Sequence, residues 1–160
     1  MYKYQIISNN SETLSQSPIR ISKNTPPAEI QFIGHRVSAG FPSPAGDYVE
    51  ESLDLNQYLI HNKPATFMFA VKGDSMINAS ITEGDKVIVD RSLKAKHNDI
   101  VIAVVDTEYT IKRLYKSQGL IELRPENPSY KPIRFNEGSE LQIWGVVVGV
   151  VRRYTNKKKL

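Results

Sequence analysis

The chain contains no cysteine. That excludes a disulfide framework and any thiolate metal site, and it suits a protein of the reducing cytoplasm. Histidine is nearly as scarce. His35, His61 and His97 stand apart, with none at the i, i+3 or i, i+4 spacing that gathers metal ligands on a helix. No cofactor is therefore expected. No apolar run approaches the ~18 residues of a membrane span, and the first 30 residues lack the apolar stretch of a secretory leader. Neither a membrane partner nor export is expected.

A basic body is missing too. The net charge is +4, but Arg152, Arg153, Lys157, Lys158 and Lys159 carry five positive charges, which leaves the rest of the chain at −1. A charged end is ordinarily a solvated end, and the body offers no basic DNA-binding surface. What remains is ordinary globular material: 160 residues, 40% hydrophobic and 24% charged, enough for one domain with a core and something over.

The excess lies at the front. Residues 8–29, SNNSETLSQSPIRISKNTPPAE, are polar and broken by Pro18, Pro26 and Pro27. They bury too little apolar surface to offset the entropy of ordering, and the paired prolines exclude a continuous helix. Residues 1–39 therefore read as an extended or loosely docked arm. Further on, Leu55, Tyr58 and Leu59 have helical spacing, with Asp54 as a plausible N-cap. From Ala65 the runs ATFMFAVKG, DKVIVD, DIVIAVVD, EYTIKRL, GLIELRPEN and LQIWGVVVGVVRRY have strand patterning and are separated by turn signals such as Glu83-Gly84-Asp85. The expected fold is mainly β: a compact, twisted β domain with a short N-terminal helix and an extended N-terminal arm.

Two places could carry chemistry. In KGDSM, Lys72 to Met76, a strand ends in a glycine and a serine follows at a tight bend. Glycine permits backbone angles that aim N–H groups at one point, as an oxyanion requires, although Gly-Asp-Ser is also ordinary turn chemistry. In EYTIKRLY, alternation puts Thr110, Lys112 and Leu114 on one strand face and Ile111 and Arg113 on the other. A lysine packed against apolar neighbours has its charged form penalised, whereas an edge-strand lysine merely discourages aggregation. Together Ser75 and Lys112 could form a nucleophile–base pair that needs neither His nor Asp. Bringing a lysine from ~10.4 to ~7 takes roughly 4–5 kcal/mol, which only a dry site supplies.

The segments GFPSPAGDYVEESLDLNQYLI, GDSMINASITEGDKVIVD, NDIVIAVVDTEYTIKRL and LRPENPSYKPI, in this order, resemble the LexA/UmuD family of self-cleaving Ser–Lys peptidases, from about Val37 to Arg152. The resemblance implies a twisted β domain of the LexA/signal-peptidase type that works as a homodimer. It implies Ser75 as nucleophile, Lys112 as general base, and backbone N–H groups near Asp74 and Ser75 as the oxyanion site. The family cuts at Cys-Gly or Ala-Gly, and Ala39-Gly40 fits that position. On this implication residues 1–39 are removed, residues 40–154 are the peptidase-like domain, and residues 155–160 are a basic tail. RecA assembled on single-stranded DNA would act as co-protease, and the shortened product would join a UmuC-type polymerase in error-prone translesion synthesis during the SOS response.

The residues around that bond support the same expectation. Small Ala39 and Gly40 let a nucleophile approach the backbone, and Val37, two positions before the bond, could anchor the strand in a cleft. The loose arm could reach the serine, because loop-closure cost grows slowly with length. Three other readings stay open. Val37-Ser38-Ala39 has the small-residue alternation of a leader-peptide cleavage motif, as a trans-acting signal-peptidase-like protease would suggest. A LexA-like repressor fragment is the second, although the arm has no room for a helix-turn-helix domain. A non-cleaving β interaction module is the third.

Overall fold

The computed structural model describes residues 18–20, 26–27, 29–33, 39–40, 50–135 and 141–154. Its elements in chain order are strands β1 (Ile19–Arg20), β2 (Glu29–Ile33) and β3 (Glu50–Asp54), helix α1 (Leu55–Leu59), and strands β4 (Thr66–Ala70), β5 (Lys86–Asp90), β6 (Ile100–Val105), β7 (Glu108–Ser117), β8 (Leu120–Arg124), β9 (Ile133–Arg134) and β10 (Gln142–Val151). The mainly β expectation holds, with a single short α-helix among the described residues. The chain divides into two compact units, Ser22–His61 and the remainder.

In the smaller unit β2 and β3 pair antiparallel, with Glu29 opposite Asp54 and Ile33 opposite Glu50. Asp54 then caps α1: its carboxylate accepts from Asn56 N at 2.9 Å, as the sequence suggests. Asn56 Nδ2 donates to Pro26 O at 3.1 Å, which ties the Pro-Pro stretch to the helix. The helix has only five residues and buries none of them, and Tyr58 is 65% exposed. Its apolar stripe is real in spacing but unburied.

The larger unit is one antiparallel sheet in the order β1-β4-β5-β10-β6-β7-β8-β9. The last strand in the chain thus inserts between β5 and β6. Alternation sorts β6 onto two cores: Ile102 joins Phe67, Phe69, Val87, Val89 and Trp144, whereas Val101 and Ala103 join Leu114, Leu123, Leu141 and Val146. A bulge in β10 between Ile143 and Gly145 makes Trp144 the extra residue. Trp144 and Val146, although two apart, therefore serve different cores. Phe67 and Phe69 meet Trp144 edge-on at 5.0 and 4.9 Å. Gly145 is required by close approach, since a Cβ there would lie 2.7 Å from Val89 Cγ1 and 3.1 Å from Asp90 O.

Arg152, counted above with the solvated end, is part of the body. It donates through Nε and Nη2 to the two carboxylate oxygens of Asp85, both at 2.6 Å, and through Nη2 to Ser80 O at 2.8 Å. Asp85 is buried, and the Arg152 guanidinium holds its carboxyl down at about 2. This pair fastens the end of β10 to the turn that precedes β5.

Candidate active site

Beyond β4 the chain stays attached to the turn before β5: Val71 N donates to Asp85 O at 2.8 Å, and Gly84 N donates to Val71 O at 3.0 Å. Gly73 then takes φ +83°, a left-handed angle that side chains disfavour, and turns the backbone sharply. Three residues later Met76, 1% exposed, is pinned in the core, and Ala79 N and Ile81 N both donate to its carbonyl. Ser75 is held between the glycine bend and the buried methionine. Its hydroxyl comes within 3.0 Å of Lys112 Nζ.

Lys112 comes from the opposite side of the site. β7 pairs with β6 from Glu108 to Arg113 and with β8 from Arg113 to Ser117, so Lys112 is laddered to Val101 on one edge and stands just before the second ladder begins. The reading of a solvent-facing edge lysine falls on its burial. The side chain is 8% exposed. Nζ also reaches Thr110 Oγ1 at 2.9 Å and Ile111 O at 2.8 Å. Thr110 and Lys112 meet because residues two apart share a strand face, the signal already visible in the sequence. None of the ion pairs among the described residues involves Lys112. Burial without a counter-charge lowers its pKa from the ordinary lysine value. Phe69, Val87, Ile102 and Tyr109 line the adjoining cleft, whose volume is about 140 Å³. A serine hydroxyl faces a desolvated amine beside a cleft with apolar side chains in its wall.

The serine turn is also tied from outside by the stretch after β8. Glu126 N donates to Ser75 O and Asn78 N to Glu126 O, each at 2.8 Å. Asn127 Nδ2 donates to Asp74 O at 3.1 Å, and the Tyr130 hydroxyl donates to the Asp74 carboxylate. Sequence reading placed Asp74 beside the serine but had no means of finding these partners, which lie 53 and 56 residues away. Of the other expected residues, Ala39 and Gly40 lie exposed in a bend of the Ser22–His61 unit, and Val37 falls outside the described residues. His97 is engaged structurally: its Nδ1 accepts from Lys116 N at 3.0 Å.

A mainly β protein that presents a serine hydroxyl to a buried lysine amine has the layout of a serine hydrolase without histidine. The family follows from comparison: a model described as Peptidase S24-like matches residues 31–148, and the chain belongs to that family. Protein SamA of Salmonella typhimurium is 48% identical over 118 residues, covering 74% of this chain and 81% of that protein. Protein ImpA of Escherichia coli is 42% identical over 119 residues, covering 74% and 80%. LexA repressor 2 of Geobacter sulfurreducens is 43% identical over 133 residues, or 82% of this chain, which spans 64% of the repressor's length. Among the described residues no helix is long and apolar enough to cross a membrane.

Proposed function

We propose that this chain is a self-cleaving Ser–Lys peptidase of the UmuD type, with Ser75 as nucleophile, Lys112 as general base and Ala39-Gly40 as the bond cut. The observation that carries the reading is the 3.0 Å contact between Lys112 Nζ and Ser75 Oγ in a site that disfavours the ammonium. A neutral amine has two N–H donors and one lone pair. Thr110 Oγ1 and Ile111 O accept the two hydrogens, which leaves the lone pair for the Ser75 hydroxyl proton.

The reaction then runs in ordinary steps. Ser75 Oγ attacks the Ala39 carbonyl carbon as its proton passes to Nζ. Backbone N–H groups near Asp74 and Ser75 stabilise the oxyanion. The C–N bond breaks, and Nζ returns the proton to the Gly40 amine. Water, deprotonated by Lys112 Nζ, attacks the Ala39 ester carbon, and Nζ returns that proton to Ser75 Oγ as the Oγ–C bond breaks and the Ala39 carboxylate leaves. Val37 anchors the strand being cut, residues 1–39 are released, and residues 40–154 form the working domain with 155–160 as a basic tail. The processed homodimer serves a UmuC-type polymerase in the cytoplasm, and RecA on single-stranded DNA stimulates the cut. Similarity to SamA and ImpA over four-fifths of their lengths supports this assignment.

A second reading, the peptidase part of a LexA-like repressor, is favoured by the 43% identity to LexA repressor 2. Mass spectrometry of the full chain, incubated with and without RecA, ATP and single-stranded DNA, tests the first. A fragment beginning at Gly40 that appears with the filament is expected, and an intact chain under both conditions refutes it. Retention of the processed chain by a UmuC-type polymerase on a sizing column separates the polymerase role from the repressor reading.

A further inference from the structure

We infer that Asn127 is a positioning residue that sets the orientation of the Asp74–Ser75 peptide plane, and with it the serine N–H. The inference rests on the reading of Ser75 as nucleophile. Asn127 reaches two atoms of one residue, donating from Nδ2 to Asp74 O at 3.1 Å and to Asp74 Oδ2 at 3.3 Å. Its own orientation is not free. Oδ1 accepts from Ser129 N at 3.0 Å, and Asn127 O accepts from Tyr130 N at 3.1 Å. Because the amide oxygen is used by its own turn, the nitrogen must face Asp74, and a flipped amide would break three contacts.

The consequence for Ser75 follows from peptide geometry. In a planar trans peptide the C=O and N–H point in opposite directions. Drawing Asp74 O toward Asn127 therefore turns the Ser75 N–H away from the 126–130 stretch. The next plane is treated alike, since Ser75 O accepts from Glu126 N at 2.8 Å. Two consecutive planes around the nucleophile are thus held by one neighbouring segment, the first of them jointly with Ile77 N, which donates to Asp74 O at 3.2 Å within the turn itself. Tyr130 completes the arrangement by donating its hydroxyl to the Asp74 carboxylate, which keeps that side chain against Asn127. An oxyanion donor must be fixed before charge develops, and its loss typically costs about 100- to 1,000-fold in rate. Asn127 acts one step removed, so a smaller loss, about 10- to 100-fold, is expected when it is deleted.

The test compares self-cleavage of full-length Asn127→Ala, Asn127→Asp and the double variant Asn127→Asp/Asp74→Asn, with melting temperature followed in parallel. The single variants are expected to cut about 10- to 100-fold more slowly. Their rates should rise with pH at the same midpoint as the parent, because Lys112 is untouched. The double variant exchanges donor and acceptor between the two side chains. It can restore the tie between loops, but not the bond to the Asp74 carbonyl. Recovery of melting temperature without recovery of rate is the expected result. Full recovery of rate in the double variant, or a parental rate in Asn127→Ala, overturns the inference. Ser75→Ala run alongside separates the two levels: if it still cuts at Gly40, the nucleophile assignment itself fails.

Discussion

Replacing Lys112 by methionine in a Ser75→Ala background isolates the energetics of a buried amine from the chemistry proposed for it. Both chains lack the serine hydroxyl, so neither cuts itself while it is being heated. Methionine keeps roughly the length of the lysine stem and removes the charge. In this background Nζ retains Thr110 Oγ1 and Ile111 O, bonds worth about 1.5–3 kcal/mol each when the donor is charged. Against them stands a desolvation cost of several kcal/mol for the ammonium. The absolute offset between the chains is thus a small difference of large opposing effects, but its pH dependence has a definite sign. Burial places the lysine's folded-state pKa below the ordinary 10.5, so between the two values the unfolded chain binds more protons. Stability of the lysine-bearing chain therefore rises with pH across that window, and the offset between the chains moves in favour of lysine.

The slope has an upper limit of about 1.4 kcal/mol per pH unit. For a chain of this size that corresponds to about 3–5 °C per unit, reduced where water reaches the amine from the open side of the cleft. Scanning calorimetry from about pH 6 to about pH 11 reads it directly. Melting curves that stay parallel throughout would mean that the amine titrates alike in both states, and the desolvation argument would collapse.

The wild-type cleavage rate should climb with pH as Lys112 loses its proton and level off below pH 10.5, the ordinary lysine value; gel densitometry showing a flat rate from about pH 7 to about pH 10 would exclude lysine as the base. Ala39→Asp should stop processing by placing a carboxylate against Phe69, Val87 and Ile102 in the cleft wall, and an undiminished rate, read by mass spectrometry, would mean that Ala39 does not enter the cleft. Asp85→Asn should remove an acid-sensitive component of stability: with the carboxyl held at about 2, that contribution is present above the ordinary 3.8 and lost as pH falls toward 2. Circular-dichroism melts at about pH 6 and about pH 2.5 should therefore differ less for the variant than for the parent. Gly145→Ala should cost about 1–3 kcal/mol, because its methyl meets Val89 and the Asp90 carbonyl, and an unchanged melting temperature would contradict the close approach.

The strands from β4 onward were legible because alternation and turn residues repeat at short range, and the Asp54 cap was legible because its partner is two residues away. The Ser75–Lys112 pair could be suspected because each residue sat in a distinctive local frame, a glycine bend and an apolar strand. Other features carry no local signal. β1 is two residues long within a polar stretch, and only its pairing with Phe67 and Met68 reveals it. β3 reads EESLD, a poor strand by composition, and is recruited by its ladder with β2. Arg152 looked like part of a basic end because nothing near it in sequence announces Asp85, 67 residues earlier. The tether from Asn127 and Tyr130 is a side-chain matter, without period or motif spacing, and only the folded chain brings it to Asp74.

The place of Lys112 on β7 bears on timing. A buried base paired to β6 at its own residue, on a strand that β8 joins from the next, cannot be withdrawn and restored without disturbing the sheet. On the proposed reading the enzyme is therefore always armed, and the waiting time before the single cut is set by how often its substrate segment arrives. For a protein that consumes itself there is no turnover number to improve, only a delay to be tuned.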